Sequence, residues 1–384
     1  MGNYKRKMVW FSEIRWDFMM TRKQQILKRF PKYWKILFIE PVVLDKKPHF
    51  IPKRENNIYI VTIPYLRGSN KKLLSKFIYN RIVSVFIKIF GEFTALFWIY
   101  ILGFSGRDRV VALSSIHWGD FASRLKAKVK FYDCNDDHLK FAENCPWAQK
   151  FLKKYLSTCN FMTYVSEELN EKIQRVFRIK SYLVSNGVDF EHFSKRREPP
   201  EQIRNFKKPI IGYAGTIDYI DYSLLQDLSR VYENCSIILI GPEIRGSFLK
   251  NYIIERKLKN VHYLGRVDYH LLPCYTQSFD VAVIPFKKDE ISKSLNPNKL
   301  YEYLAAGLKV VTMDFSKRIR ELKGIIYVAK TKDEFVRLVG KAIKAELPPK
   351  SLEIAKKNDW REISERLCQI IEEHLNRYDN KEYS

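Results

Sequence analysis

Cysteine is sparse in this 384-residue chain, and its six copies stand far apart, with no CxxC pair and no histidine-rich cluster beside them. That spacing argues against a structural zinc site and for a reducing compartment. A membrane-spanning run is also missing. The uncharged apolar stretch at 93–106 holds 14 residues, where a helical span needs about 20. The N-terminus is basic and passes directly into a strand pattern, without an apolar leader core or small-residue cleavage site. No signal peptide is read, and a cytoplasmic location is expected. Acidic residues are scarce, 43 against 68 Lys and Arg, and over residues 1–100 only 6 against 20.

What is present is a folding chain, 46% apolar and 14% aromatic, long enough for two cored domains. The net charge of +25 suits an anionic partner. No nucleic-acid reader motif accompanies it, which favours an anionic membrane surface over nucleic acid. Near such a surface each Lys or Arg contributes about 1 kcal/mol. A solvated lysine-rich face explains the same charge without a partner.

Strand and helix patterns alternate from the start: a strand at 8–11, a helix at 22–30 and a strand at 35–41. This is how a doubly wound α/β domain begins. Ligands of such sheets lie beyond the carboxyl ends of the strands, so Asp17 and Arg22 are acceptor-binding candidates, with loop ion pairing as the plainer account. Residues 73–104 fit either a buried core helix or an aromatic surface lying in a lipid interface, with Lys71, Lys72, Lys76 and Lys88 near it. Trp98 and Tyr100 are residue types that such interfaces favour. The strands at 109–113 and 129–132 each end in polar residues, the first bringing His117 and the second the run YDCNDD at 132–137.

The most informative stretch is NPNKLYEYLAAG at 296–307. Asn296 suits an N-cap and Pro297 the first helical position. The N–H groups of Asn298 and Lys299 would then open an anion site at the helix start. Lys299 stands against the helix dipole, at a cost of about 0.3–1 kcal/mol unless an anion shares the site. Glu302, three residues on, faces the same side and can accept from two vicinal hydroxyls. A capped surface helix with solvated Lys and Glu is the plainer alternative.

Taken together, residues 132–137, the turn SNGVD at 185–189 and the 296–307 segment resemble the nucleotide-sugar glycosyltransferases of family four (glycosyl transferases group 1), in particular their bacterial polysaccharide-synthesis branch. The resemblance implies an α/β fold of two facing Rossmann-like domains, the GT-B architecture, with a C-terminal helix crossing back to the first domain. It implies domains at 1–195 (acceptor) and 205–346 (nucleotide sugar), and the returning helix at 350–384. Donor binding would fall to Gly215, Thr216, Arg266, Val267, Asn298, Lys299 and Glu302. Asp136 would be the first candidate base and Asp133 the second, with Asp17, Arg22 and His117 toward the acceptor. The sequence departs from the family's pattern at Ser294, where many members carry another glutamate; Glu290 lies nearby but out of register. The glycine-rich loop after the first strand is absent too. The implied reaction moves a sugar from a UDP- or GDP-linked donor to a lipid-linked or cell-surface glycan. It is expected to retain configuration and to need no cofactor or metal, at the inner face of the membrane. A UDP-sugar epimerase on the same fold and a basic nucleic-acid-binding protein are the rival readings.

Overall fold

The computed structural model describes residues 4–43, 47–66, 81–141, 146–244, 246 and 248–382. Lys71, Lys72 and Lys76 lie outside them. The chain divides into two compact units, Met1–Val184 with Ser364–Ser384, and Ser185–Ile363.

The first unit is built on a sheet of eight strands: β1 (Arg6–Phe11), β2 (Trp34–Val42), β3 (Lys53–Glu55), β4 (Ile58–Leu66), β5 (Val110–Leu113), β6 (Val129–Cys134), β7 (Phe161–Tyr164) and β8 (Ser181–Leu183). Their order is β3-β4-β2-β1-β5-β6-β7-β8, and every neighbouring pair is parallel except β3 and β4. Continuous apolar runs such as Ile36 to Ile39, buried on both faces, are what a parallel sheet covered by helices requires. The β3–β4 hairpin was not anticipated. Its signal is the Asn56-Asn57 pair, with Asn56 at φ 56°, ahead of a β-branched strand.

The second unit carries a six-stranded sheet: β9 (Ile210–Ala214), β10 (Ser236–Ile240), β11 (Val261–Gly265), β12 (Val281–Ile284), β13 (Val310–Met313) and β14 (Tyr327–Ala329). It is wholly parallel in the order β11-β10-β9-β12-β13-β14. Strand order reverses between β1 and β5 in the first unit and between β9 and β12 in the second. In open α/β sheets those are the places where ligands bind.

The units meet earlier in sequence than the expected boundary at 195. The Val188 N–H donates to the Asn358 carbonyl at 2.9 Å, and a β-carbon on Gly187 would stand 2.3 Å from that oxygen. This bonding places the 185–189 turn, and the basic segment after it, in the second unit together with Asn358. The expected C-terminal segment at 350–384 divides: residues up to Ile363 stay with the second unit, and the helix Trp360–Glu382 belongs from Ser364 onward to the first. It buries Ile370, Ile371 and Leu375, and it is tied down by Ser364 Oγ to the Ile26 carbonyl at 3.0 Å and by Asp379 to Lys128 at 2.7 Å.

Candidate functional site

In the second unit, three successive strand ends stop at glycine. Gly215 follows β9 at φ +153°, Gly241 follows β10 at φ +136°, and Gly265 ends β11 at φ +73°. All three lie in backbone territory that side chains rarely enter. They are linked: the Gly215 N–H donates to the Ile240 carbonyl at 2.8 Å, and the Gly241 N–H to the Gly265 carbonyl at 2.7 Å. A β-carbon on Gly241 would sit 1.9 Å from the Gly215 carbonyl oxygen, so the two turns pack backbone to backbone.

The helix Asn298–Ala305 points into this edge. Its N-cap is Pro297, with extended φ −74° and ψ 125°, and not Asn296 as the sequence suggested. Held in that conformation, the proline stays outside the helix and delays its start to Asn298. Asn296 is used otherwise: its side-chain oxygen accepts from Tyr301 Oη at 3.1 Å, and its carbonyl accepts from Asn186 Nδ2 at 2.7 Å. Asn298 Oδ1 is buried and meets no hydrogen-bond donor among the described residues. A buried acceptor in that condition is costly unless a ligand supplies the proton.

Lys299 reaches back from the helix to Gly215, where its Cε would lie 2.2 Å from any β-carbon. Its ammonium stands 5.3 Å from the centre of the Tyr213 ring and 4.6 Å from that of Phe286. Those rings belong to β9 and to the residues just after β12, so the ammonium occupies the reversal point of the sheet. Glu302 lies one turn along. Burial lowers the Lys299 pKa to about 8, against the pull of Glu302, and burial raises that of Glu302 to about 7, against the pull of Lys299. The helix is fastened to β9 by Tyr303, whose hydroxyl accepts from the Ala214 N–H at 2.7 Å and donates to the Ala214 carbonyl at 3.2 Å.

Of the other donor candidates, Thr216 directly follows Gly215, and its carbonyl accepts from Tyr213 Oη at 2.7 Å. Arg266 and Val267 follow Gly265, the arginine exposed and the valine partly buried. Glu290 is exposed and paired with Lys293, while Ser294 is buried and bonded to the Ile291 carbonyl, so neither replaces the missing glutamate. Gly241, Tyr213, Tyr303 and Phe286 were not anticipated as parts of this edge.

In the first unit the acidic run at the end of β6 and just beyond it separates into three environments. Asp133 is fully buried and held by Arg22, with Nη2 to Oδ1 at 3.1 Å and Nε to Oδ2 at 3.2 Å, and by Thr163 Oγ1 at 2.7 Å. Both side chains are turned toward each other and away from any incoming sugar. The expected roles of Asp133 as second base and of Arg22 toward the acceptor give way to a buried ion pair. Asp17 likewise pairs with the buried Arg15, at 3.0 Å. Asp137 caps the next turn through the Lys140 N–H at 3.0 Å and pairs with Lys172. Asp136 is the one that stands among titratable neighbours: it, Glu13 and His138 each bring a ligand atom within 4.8 Å of the others. That donor set would suit a cation, but Lys23 Nζ already lies 2.5 Å from Glu13. His138 Nδ1 is 2.6 Å from Tyr132 Oη. Glu13 was missed, because nothing in the sequence sets a residue after β1 beside one after β6. His117 lies in the turn after β5 with its ring 5.2 Å from that of Trp147.

Comparison with known proteins gives the class first. Sucrose-phosphate synthase from Thermosynechococcus elongatus superposes with a TM-score of 0.72 at 11% identity, covering 96% of this chain and 99% of that one. An E. coli trehalose-6-phosphate structure bound with UDP-2-fluoro glucose gives 0.70 at 15%, over 96% and 99%. Anabaena HepE in complex with UDP gives 0.67 at 12%, over 96% and 100%. The fold is therefore GT-B: two parallel-sheet α/β domains.

Residues 208–344, part of the second unit, match the family model described as glycosyl transferases group 1. A Bacillus subtilis (strain 168) protein named "Putative teichuronic acid biosynthesis glycosyltransferase TuaH" is 25% identical over 173 residues, which is 44% of this chain and 43% of that protein. The chain thus matches less than half the length of that curated relative.

Proposed function

We propose that this chain is a glycosyltransferase that takes a sugar from a UDP- or GDP-linked donor and adds it to a lipid-linked or cell-surface glycan. The observation that carries this reading is the Lys299 ammonium lying against Gly215 at the β9/β12 reversal, with Glu302 one turn along the same helix. The open backbone of Gly215 and the start of the helix Asn298–Ala305 offer amides to a diphosphate. Lys299 supplies the charge that steadies the leaving group, with Arg266 as an exposed cation near the base side. Glu302 accepts from the ribose hydroxyls. The family match and the nucleotide-bound neighbours support the same donor class.

In the first unit, Asp136 is the candidate base, accepting the proton of the attacking hydroxyl or steadying an oxocarbenium-like transition state. Retention of configuration is part of the proposal, as is independence of metal, with Lys299, Arg266 and the helix-start amides proposed to steady the leaving group instead. Peripheral association with the inner face of an anionic membrane brings the enzyme to a lipid-linked acceptor, and the basic first hundred residues support it.

A thermal-shift panel of UDP, GDP, ADP and CMP, run on the wild type and on Glu302→Ala, tests the donor site. UDP or GDP is expected to stabilise the wild type and to lose at least about tenfold in affinity in the variant. Unchanged nucleotide binding in Glu302→Ala would remove the site assignment. Turnover of a UDP-sugar with no acceptor present would point to the epimerase instead.

A further inference from the structure

The helix Arg81–Ile101 is inside out for a helix at a water-facing surface. At 100° per residue, Phe86, Ile89, Phe90, Phe93, Phe97 and Tyr100 fall on one side. All six are exposed, Phe86 at 68%, Phe93 at 66% and Tyr100 at 71%. The opposite side packs onto the first unit through the small residues Gly91 and Ala95 and through Ile99. The charges lie inward of the phenylalanines: Lys88 pairs with Asp120 at 2.8 Å, and Glu92 with Arg124 at 2.7 Å. A helix meant for water places these residue types the other way round. A contiguous apolar face of this kind marks an interaction surface.

Charge selects the occupant. From residue 56 to residue 91 the sequence holds six basic residues, Arg67, Lys71, Lys72, Lys76, Arg81 and Lys88, and no acidic one. A second copy of a +25 chain would bring the same basic segment against itself. No helix among the described residues is long and apolar enough to cross a membrane. A bilayer surface rich in anionic headgroups answers both features, an apolar boundary for the rings and a negative surface that suits a sequence of that charge.

We propose that this face of the helix Arg81–Ile101 lies in the plane of an anionic membrane surface, its aromatic rings at the boundary between headgroups and acyl chains. The proposal rests on the membrane association in the preceding section and gives it a place in the molecule.

The test uses the full chain and the variant Phe86→Ser/Phe93→Ser/Phe97→Ser, sedimented with phosphatidylcholine vesicles with and without phosphatidylglycerol. The wild type is expected to pellet with the anionic vesicles, and the variant to lose that binding at least about tenfold while its UDP affinity is unchanged. Equal sedimentation of variant and wild type overturns the proposal, as does a wild type that ignores both kinds of vesicle. Sedimentation velocity that finds a dimeric wild type and a monomeric variant hands the face to a second copy instead. A wild type that pellets but fails to bind UDP or GDP leaves the anchor standing and removes the donor reading.

Discussion

Lys299 and Gly215 are made for each other: the lysine stem crosses the glycine so closely that a β-carbon there would meet Lys299 Cε at 2.2 Å. The glycine's φ of +153° is a second reason that only glycine fits. The substitution Gly215→Ala must therefore displace the ammonium or the turn. It is expected to cost about 1–3 kcal/mol of stability and to weaken UDP binding at least about tenfold. Calorimetric titration with UDP, alongside far-ultraviolet circular dichroism to confirm the fold, checks both.

The neighbouring carboxyl carries a pH signature. Glu302 titrates at about 7 in the folded chain against its ordinary 4.5, because burial disfavours its charge. The folded chain then holds a proton that the unfolded chain has released, so stability falls as pH rises from about 4.5 to about 7. Lys299, at about 8 against an ordinary 10.5, has the opposite slope above about 8. Both groups are partly exposed, which limits each effect to about 1 kcal/mol. Glu302→Gln is expected to flatten the lower slope in urea unfolding curves taken across that range. In the wild type, nucleotide-sugar affinity is expected to peak between about 7 and about 8, where the carboxylate and the ammonium coexist. A flat affinity profile would separate these groups from the donor.

Arg22 and Asp133 make a different kind of test, since they form a buried pair. Arg22→Ala strands a fully buried carboxylate and is expected to cost about 3–5 kcal/mol in urea unfolding. The double variant Arg22→Met/Asp133→Leu should recover most of that loss. A mild effect of Arg22→Ala would mean that the pair is not what holds Asp133, which would return it to consideration as a base.

Asp136→Asn is expected to lower turnover by about 10²–10⁴-fold with nucleotide affinity unchanged. Single-turnover measurements with UDP-sugar and an acceptor lipid distinguish the two quantities. Undiminished turnover would make Asp136 a loop residue and leave Glu13 and His138 beside it as the groups to try next.

Local signals in the sequence carried the helix Asn298–Ala305. A helix start, a lysine against the dipole and a glutamate three residues later are all readable within twelve letters of one another. The start itself came one residue late, because a proline in extended conformation can cap a helix as well as enter it. What was not readable depends on neighbours distant in sequence. Gly241 matters only because β10 lies beside β9, and Arg22 finds Asp133 across 111 positions. The stretch at 73–104 fits a buried core helix or an aromatic interfacial surface, because periodicity does not say which face turns inward. Only packing against Gly91 and Ala95 decides that the phenylalanines face out.

The helix Trp360–Glu382 also bears on how the chain is made. Its apolar side fills the first unit, yet it is made only after the whole of the second unit. The second unit, contiguous from Ser185 to Ile363, can close while synthesis continues, whereas the unit begun first has to wait for its final wedge. Nascent chains halted before Ser364 are therefore expected to show a protease-resistant second unit and a digestible N-terminal half, so that birth order and folding order run in opposite directions.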